Sequence, residues 1–254
     1  MCDVRKTAVR VVLMGLAAGM LASALVPAKA QGVSQSVTLK KRKQETRARR
    51  ETNASRKARI QRTIEDTYSH RYEVIGGGGY LRFRSGSQLK KNNEVTWATA
   101  VNYYLNPKLA IVGDARGAFG EARTYTDNSF GVPKAQINEY LFMGGASYRF
   151  FAREKVALSA QALGGIGWGI FSGGSKQIPA TQLGLWQDGT RPAFSLGVSV
   201  DYNIDPKLAL RFTPTYVATT FKSAPSTGSA PTTSVSVQNN LGFNIGVVYR
   251  FGKQ

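Results

Sequence analysis

The sequence predicts an all-β protein: an eight-stranded antiparallel up-and-down transmembrane β-barrel behind a flexible basic N-terminal segment. Three observations predict it. From Tyr72 onward apolar residues recur at every second position, the period of strands. The connections between these runs alternate strictly between short and long. The two faces of the runs differ sharply, one large and apolar, the other small or charged.

The chain has 254 residues and a net charge of +19, unevenly spread. Residues 1–71 hold 16 Lys and Arg against 5 Asp and Glu, a net +11, which leaves +8 for the rest. Arg5, Lys6 and Arg10 precede the apolar "VVLMGLAAGMLASALV" from Val11 to Val26, and "PAKA" ends at Ala30. A positive region, an apolar core and a small-x-small site at Ala28-Lys29-Ala30 describe a secretory signal peptide over residues 1–30, removed before Gln31. The apolar run is shorter than the roughly 20 residues that a spanning helix needs. Cys2, the lone cysteine, lies inside this segment, so the exported chain is expected to carry no disulfide, thiolate metal site or cysteine nucleophile.

Residues 31–71 form a basic spacer, expected to be disordered or partly helical, on the periplasmic side. Straight-chain residues favour transient helix from Gln44 to Glu65. Twelve Lys and Arg against four acids would also attract an anionic envelope polymer. Nucleic acid is not expected as a partner of an exported chain.

The barrel is expected over residues 72–254, with strands near 72–84, 95–105, 109–119, 137–150, 156–169, 193–204, 208–219 and 235–251. The clearest is "FSLGVSVDYNI", where Phe194, Leu196, Val198, Val200, Tyr202 and Ile204 alternate with small or polar residues. The last strand repeats the pattern from Leu241 to Phe251. Two strands are weaker: "YEVIGGGGYLRFR", whose four glycines loosen the phase, and "LALRFTPTYVATTF", where Pro214 predicts a bulge or the end of pairing. Short connections fall at Asn106-Pro107, Ala152-Arg153-Glu154 and Asp205-Pro206. Asn or Asp followed by Pro places each residue where a tight turn prefers it.

An apolar face can point outward to lipid or inward to a soluble core. Its breadth, and the aromatics near strand ends (Trp97, Tyr103, Tyr148, Phe150, Trp168, Tyr202, Tyr249, Phe251), favour lipid. The opposite face carries Arg82, Asp114, Arg116, Glu139, Arg149, Asp201, Arg211 and Arg250. Each arginine in the lipid midplane would cost about 2–4 kcal/mol, and a few would cancel a typical stability of about 5–15 kcal/mol. These charges are therefore expected inside the barrel, paired across it for structural reasons.

With its closing "NIGVVYRF", the chain from Tyr72 to Phe251 resembles the small eight-stranded outer-membrane barrels of Gram-negative bacteria, the family of the outer-membrane protein A-like transmembrane domain. The resemblance implies short turns (Asn106, Pro107, Glu154, Asp205, Pro206) facing the periplasm and four long loops facing outward. It also implies an assembly signal at Tyr249 and Phe251, read by the outer-membrane assembly machinery, although Gly252-Lys253-Gln254 follow it. Outer-membrane lipids and lipopolysaccharide are the implied surroundings, with the barrel a monomer.

Catalytic motifs are scarce. Some barrels of this size are enzymes that use histidine with serine or acidic partners at the outer rim. The one histidine here, His70, precedes the first strand at the other end. Glu121, Asp127 and Asp188 lack metal-ligand spacing, and no cofactor is expected. "GGGGYLRF" has no following helix or GK[ST], so a phosphate loop is disfavoured. The expected function is a non-enzymatic outer-membrane protein contributing to envelope structure or surface interaction. The alternatives are a narrow, porin-like small-solute channel and a soluble lipocalin-like ligand-binding barrel.

Overall fold

In a computed structural model of the chain, residues 53–253 are described apart from 88, 125–130, 174–177, 179 and 224–236. A helix, α1 (Asn53–Tyr68), leads into eight strands: β1 (His70–Arg84), β2 (Lys91–Tyr104), β3 (Leu109–Arg123), β4 (Lys134–Ala152), β5 (Val156–Gly173), β6 (Gly189–Asp205), β7 (Leu208–Thr219) and β8 (Gln238–Lys253). Each strand pairs antiparallel with its sequence neighbour, and β8 returns to β1, closing the barrel. Closure leaves no sheet edge, which lets a β-structure sit in a medium without water.

The period-two pattern turns into two surfaces. Val95, Trp97, Val101, Phe142, Ile166, Phe194, Leu196, Leu241 and Ile245 are exposed on the outside, while Glu94, Ser147, Ser195, Asp201 and Arg250 are buried inside. A water-soluble barrel would show the reverse. The outer wall is therefore built for hydrocarbon.

Several strands run beyond their sequence-predicted ends. β2 starts at Lys91 rather than near 95, because Asn92 and Glu94 continue the inward phase with no apolar partner to mark it. β4 spans 19 residues, with register shifts between Gln136 and Asn138 and between Arg149 and Phe151. β1 begins at His70, two residues before the predicted boundary. Of the stretch 44–65 expected to sample helix, residues 53–65 lie in α1, which continues to Tyr68. The signal segment with Ala28 and Ala30, and the spacer to residue 52, lie outside the described residues.

The closing seam is set by glycine. A Cβ on inward-facing Gly77 would lie 2.2 Å from the Ile245 carbonyl oxygen, and one on Gly79 would lie 2.0 Å from that of Phe243. No side chain fits where these backbones approach.

Pro214 has a subtler effect than a bulge. The β6–β7 ladder runs from Ala193 opposite Thr219 to Gly197 opposite Thr215, then resumes in the same register at Val200 opposite Phe212. Proline has no N–H to donate, so the rungs at Val198 and Ser199 drop out. On its other side Pro214 still pairs with Phe243 of β8.

At the short-turn end, each hairpin is pinned locally. The Asn106 side-chain oxygen accepts from the amides of Lys108 at 2.9 Å and Leu109 at 2.8 Å, an Asx-type turn. Arg153 donates its amide to Val156 at 2.9 Å across the β4–β5 turn. Asp205 pairs with Leu208 around Pro206-Lys207.

Candidate functional site

The interior divides into layers. Nearest the short-turn end lies a network centred on Glu73 of β1, a residue only 1% exposed. One carboxylate oxygen, Oε1, accepts from Arg149 Nη2 at 2.7 Å and Arg250 Nε at 2.8 Å. The other, Oε2, accepts from Arg211 Nη2 at 2.9 Å, Tyr104 Oη at 3.0 Å and Asn102 Nδ2 at 3.2 Å. Asp201 accepts from Arg211 Nε at 2.5 Å and Nη2 at 2.7 Å, and from Arg250 Nη2 at 3.3 Å.

Three guanidinium groups face two carboxylates, leaving one positive charge to be stabilised otherwise. Arg149 lies between two rings, with Tyr104 at 4.4 Å and Tyr68 at 4.6 Å from the guanidinium to each ring centroid. The electron-rich faces stabilise the excess cation by the cation–π effect. Arg149 Nη1 also donates to the Pro107 carbonyl at 3.0 Å, tying the network to a turn.

Tyr68 comes from α1, and it closes the mouth. Its hydroxyl donates to the Arg153 carbonyl at 2.7 Å and accepts from Asn203 Nδ2 at 2.9 Å. Burial pushes its phenol up from the ordinary value, which keeps the donating proton in place. α1 gains this position because Ile60, Thr63, Ile64, Thr67 and Tyr68 share one face at helical spacing and are the less exposed residues of an otherwise exposed helix.

Farther along, Asp114 and Arg116 form a bidentate pair at 2.6 and 3.2 Å, and Arg116 reaches Thr215 at 3.4 Å. Beyond them Glu94 and Glu139 are both buried. Glu94 Oε1 accepts from Asn92 Nδ2 at 3.0 Å, while Glu94 Oε2 and both Glu139 oxygens have no hydrogen-bond partner among the described residues.

The long-loop end is apolar. Phe83, Phe171 and Phe221 pack with centroid separations of 6.1, 6.2 and 5.1 Å. The described residues between β5 and β6 pack against them, with a 3-10 turn at Ala180–Leu183. Leu183, Leu185 and Trp186 are buried there, and Trp186 donates its amide to Ser85 at 3.0 Å and its indole N–H to Arg84 at 2.5 Å. Described side chains thus fill both mouths.

Residues 61–251 match the family profile described as the outer membrane protein beta-barrel domain. The chain belongs to that family. The outer-membrane barrel is also similar to solved structures of low identity. Neisserial surface protein A shares 15% identity over 71% of this chain and 97% of its own, with a TM-score of 0.46. OprG from Pseudomonas aeruginosa shares 12% over 72% and 98%, at 0.45, and the attachment invasion locus protein of Yersinia pestis 14% over 72% and 99%, at 0.44. No match was found among curated proteins. Membership of that family places the barrel in the outer membrane, with its apolar wall against the lipid.

The structure separates one sequence-predicted interior charge from the others. Asp114, Arg116, Glu139, Arg149, Asp201, Arg211 and Arg250 lie inside, each at most 8% exposed. Arg82 does not. It is exposed on the outer face of β1, opposite Asn93 of β2 and Leu241 of β8. The phase of Tyr72, Val74 and Tyr80 puts the even-numbered residues of β1 from Tyr72 onward outside, and the glycine run between them hid that phase.

The same phase puts Glu73 inside, where it organises the outer-membrane barrel's largest polar network without having been singled out in the sequence. Tyr68 was likewise masked by the polar segment around it. Asn106 and Pro107, Glu154 and Pro206 occupy the three short turns, and Asp205 ends β6 at the edge of the last of them. Tyr249 and Phe251 face outward on β8, where Phe251 stacks on Tyr72 at 5.4 Å across the closing seam. His70 is buried at the start of β1 with Nδ1 3.3 Å from the Thr67 carbonyl oxygen, in the helix-to-strand corner. Among the described residues no group of three His, Cys, Asp or Glu is arranged to hold a metal.

Proposed function

We propose that this outer-membrane barrel is a closed, non-enzymatic structural and interaction element of the cell envelope. The short turns face the periplasm and the long connections face outward. The observation that carries this reading is the filling of both mouths: Tyr68 over the arginine network at one end, Trp186 over the phenylalanine cluster at the other. Eight strands enclose an interior that side chains can fill, which fits a rigid wall better than a conduit. Exposed Arg82 and Arg84, at the loop end of the outer wall, are placed to meet lipopolysaccharide phosphates.

In this reading the signal peptide is cleaved after Ala30, and residues 31–52 with α1 form the periplasmic lead-in to a monomeric barrel. Tyr249 and Phe251 present the outward aromatic pattern to the assembly machinery. The test is conductance of the purified, refolded chain in planar bilayers. A quiet membrane is expected, with discrete openings only when Tyr68→Ala and Trp186→Ala are combined. Reproducible channels from the unaltered chain would replace this reading with that of a narrow pore.

A further inference from the structure

The three short turns repeat more than a backbone shape. Each ends on an exposed lysine, in Asn106-Pro107-Lys108, Arg153-Glu154-Lys155 and Asp205-Pro206-Lys207. None of the three lysines forms an ion pair among the described residues. Exposed Arg71, Arg153 and Lys253 join them on the same rim, against Glu154 and Asp205. The result is a basic collar, and just within it the lipid-facing wall carries Tyr72, Tyr202, Tyr249 and Phe251. Aromatic residues of this kind mark the headgroup level of a membrane.

A cleft opens in the collar beside α1. It measures about 520 Å³ and is walled by Ile64, Tyr68, Pro107, Phe150 and Ala152, with Lys108 at its side. Phe150 also belongs to the outer wall and is 53% exposed, so the cleft is continuous with the lipid-facing surface. Arg149, which lines it too, is already committed to Glu73. Glu65, the acid on the lining, is exposed and accepts from Gln61.

We infer that this cleft and collar form a binding site for an anionic phospholipid of the periplasmic leaflet, of the phosphatidylglycerol or cardiolipin type. The acyl chain enters along Phe150 and lies against Ile64 and Ala152. The phosphate sits by Lys108, and Lys155 and Lys207 hold further anionic headgroups around the rim. A headgroup that carries its own ammonium would set a cation against lysine. The exposed Arg56, Lys57 and Arg62 of α1 extend the same charge toward the leaflet surface. This inference rests on the proposed orientation of the short turns toward the periplasm.

The experiment reconstitutes the full chain in nanodiscs of phosphatidylethanolamine with a minor fraction of phosphatidylglycerol, releases it into mild detergent, and identifies retained lipids by native mass spectrometry. Enrichment of phosphatidylglycerol is expected. Lys108→Ser should lower its retention about fivefold, equivalent to the ~1 kcal/mol a lysine contributes near an anionic surface. Ile64→Glu should abolish the tightest-held lipid while leaving the heat-modifiable band intact. Equal retention of both lipids, or retention unchanged in Lys108→Ser, overturns the inference. So does lysine-dependent binding to purified peptidoglycan sacculi without lipid preference. Orientation is read separately, from impermeant maleimide labelling of Ser87→Cys and Lys155→Cys on intact cells. Labelling of Lys155→Cys alone would sink the orientation, and with it the assignment of the site to the periplasmic leaflet, whatever lipid the mass spectra show.

Discussion

The backbone amide of Arg250 donates to the carbonyl of Lys207 at 2.8 Å, so a turn between β6 and β7 fixes a residue of β8. The relationship is repeated around the rim. Arg149 donates to Lys108 at 2.7 Å and Asn203 to Lys155 at 2.8 Å. Each turn lysine thus holds the first strand beyond its own hairpin, and each residue held belongs to the buried network around Glu73 and Asp201. The phrase "NPKLA" recurs as "DPKLA", and in blurred form as "REKVA", because the same joint must deliver an interior polar residue three times.

Loss of the Asn106 side chain tests the joint. Asn106→Ala leaves the amides of Lys108 and Leu109 without their acceptor, although both stay near water. A destabilisation of about 1 kcal/mol is expected, within the range for a typical hydrogen bond. Urea unfolding of the barrel in lipid vesicles measures it, and an unchanged midpoint would mean that the Asx turn contributes nothing.

Glu73 is the harder test. Glu73→Gln leaves three buried guanidinium groups facing Asp201 alone, and breaking a buried ion network costs about 3–5 kcal/mol. The heat-modifiability midpoint should fall sharply. Combining Glu73→Gln with Arg149→Gln should recover part of the loss, since the second change removes a cation that the first left unpaired. Additive losses would show that the two side chains act independently.

Arg82 and Arg250 look alike in the sequence and should behave differently. Arg82→Gln alters an exposed side chain and should change stability by no more than about 0.5 kcal/mol. Arg250→Gln removes bonds to Glu73, Asp201 and Asn203 and should cost several times more. Equal effects in vesicle unfolding would place Arg82 back in the interior.

These contrasts show where the sequence was legible. Lipid requires an unbroken apolar face, so Phe194 to Ile204 and Leu241 to Phe251 announce both strand and phase. Their partners Asp201 and Arg250 follow by parity alone. In β1 the run Gly76–Gly79 erases the apolar markers, and the phase must be carried from Tyr72 and Val74 to Tyr80. Reading it that way would have put Glu73 inside and Arg82 outside. The closure by Trp186 was not readable, because no periodicity connects a long loop to the mouth it covers. Tyr68 had a weak signal in its spacing from Ile60 and Ile64, one helical face in a segment otherwise devoted to charge.

The closing seam gives the last prediction, because two glycines three residues apart in that run differ only in direction. Gly79→Ala would drive a Cβ to 2.0 Å from the Phe243 carbonyl oxygen, and neither backbone can yield without breaking the β1–β8 ladder. Gly76 points outward, with nothing within 4 Å of its Cβ position. An alanine there adds a methyl to the lipid face and removes backbone freedom from the unfolded chain, a gain of about 0.4–1 kcal/mol where the conformation allows it. Refolding into vesicles should therefore proceed normally for Gly76→Ala and yield little heat-modifiable barrel for Gly79→Ala. If both variants fold alike, β1 and β8 are not held at the separation that their register implies, and closure must depend on the arginine network alone.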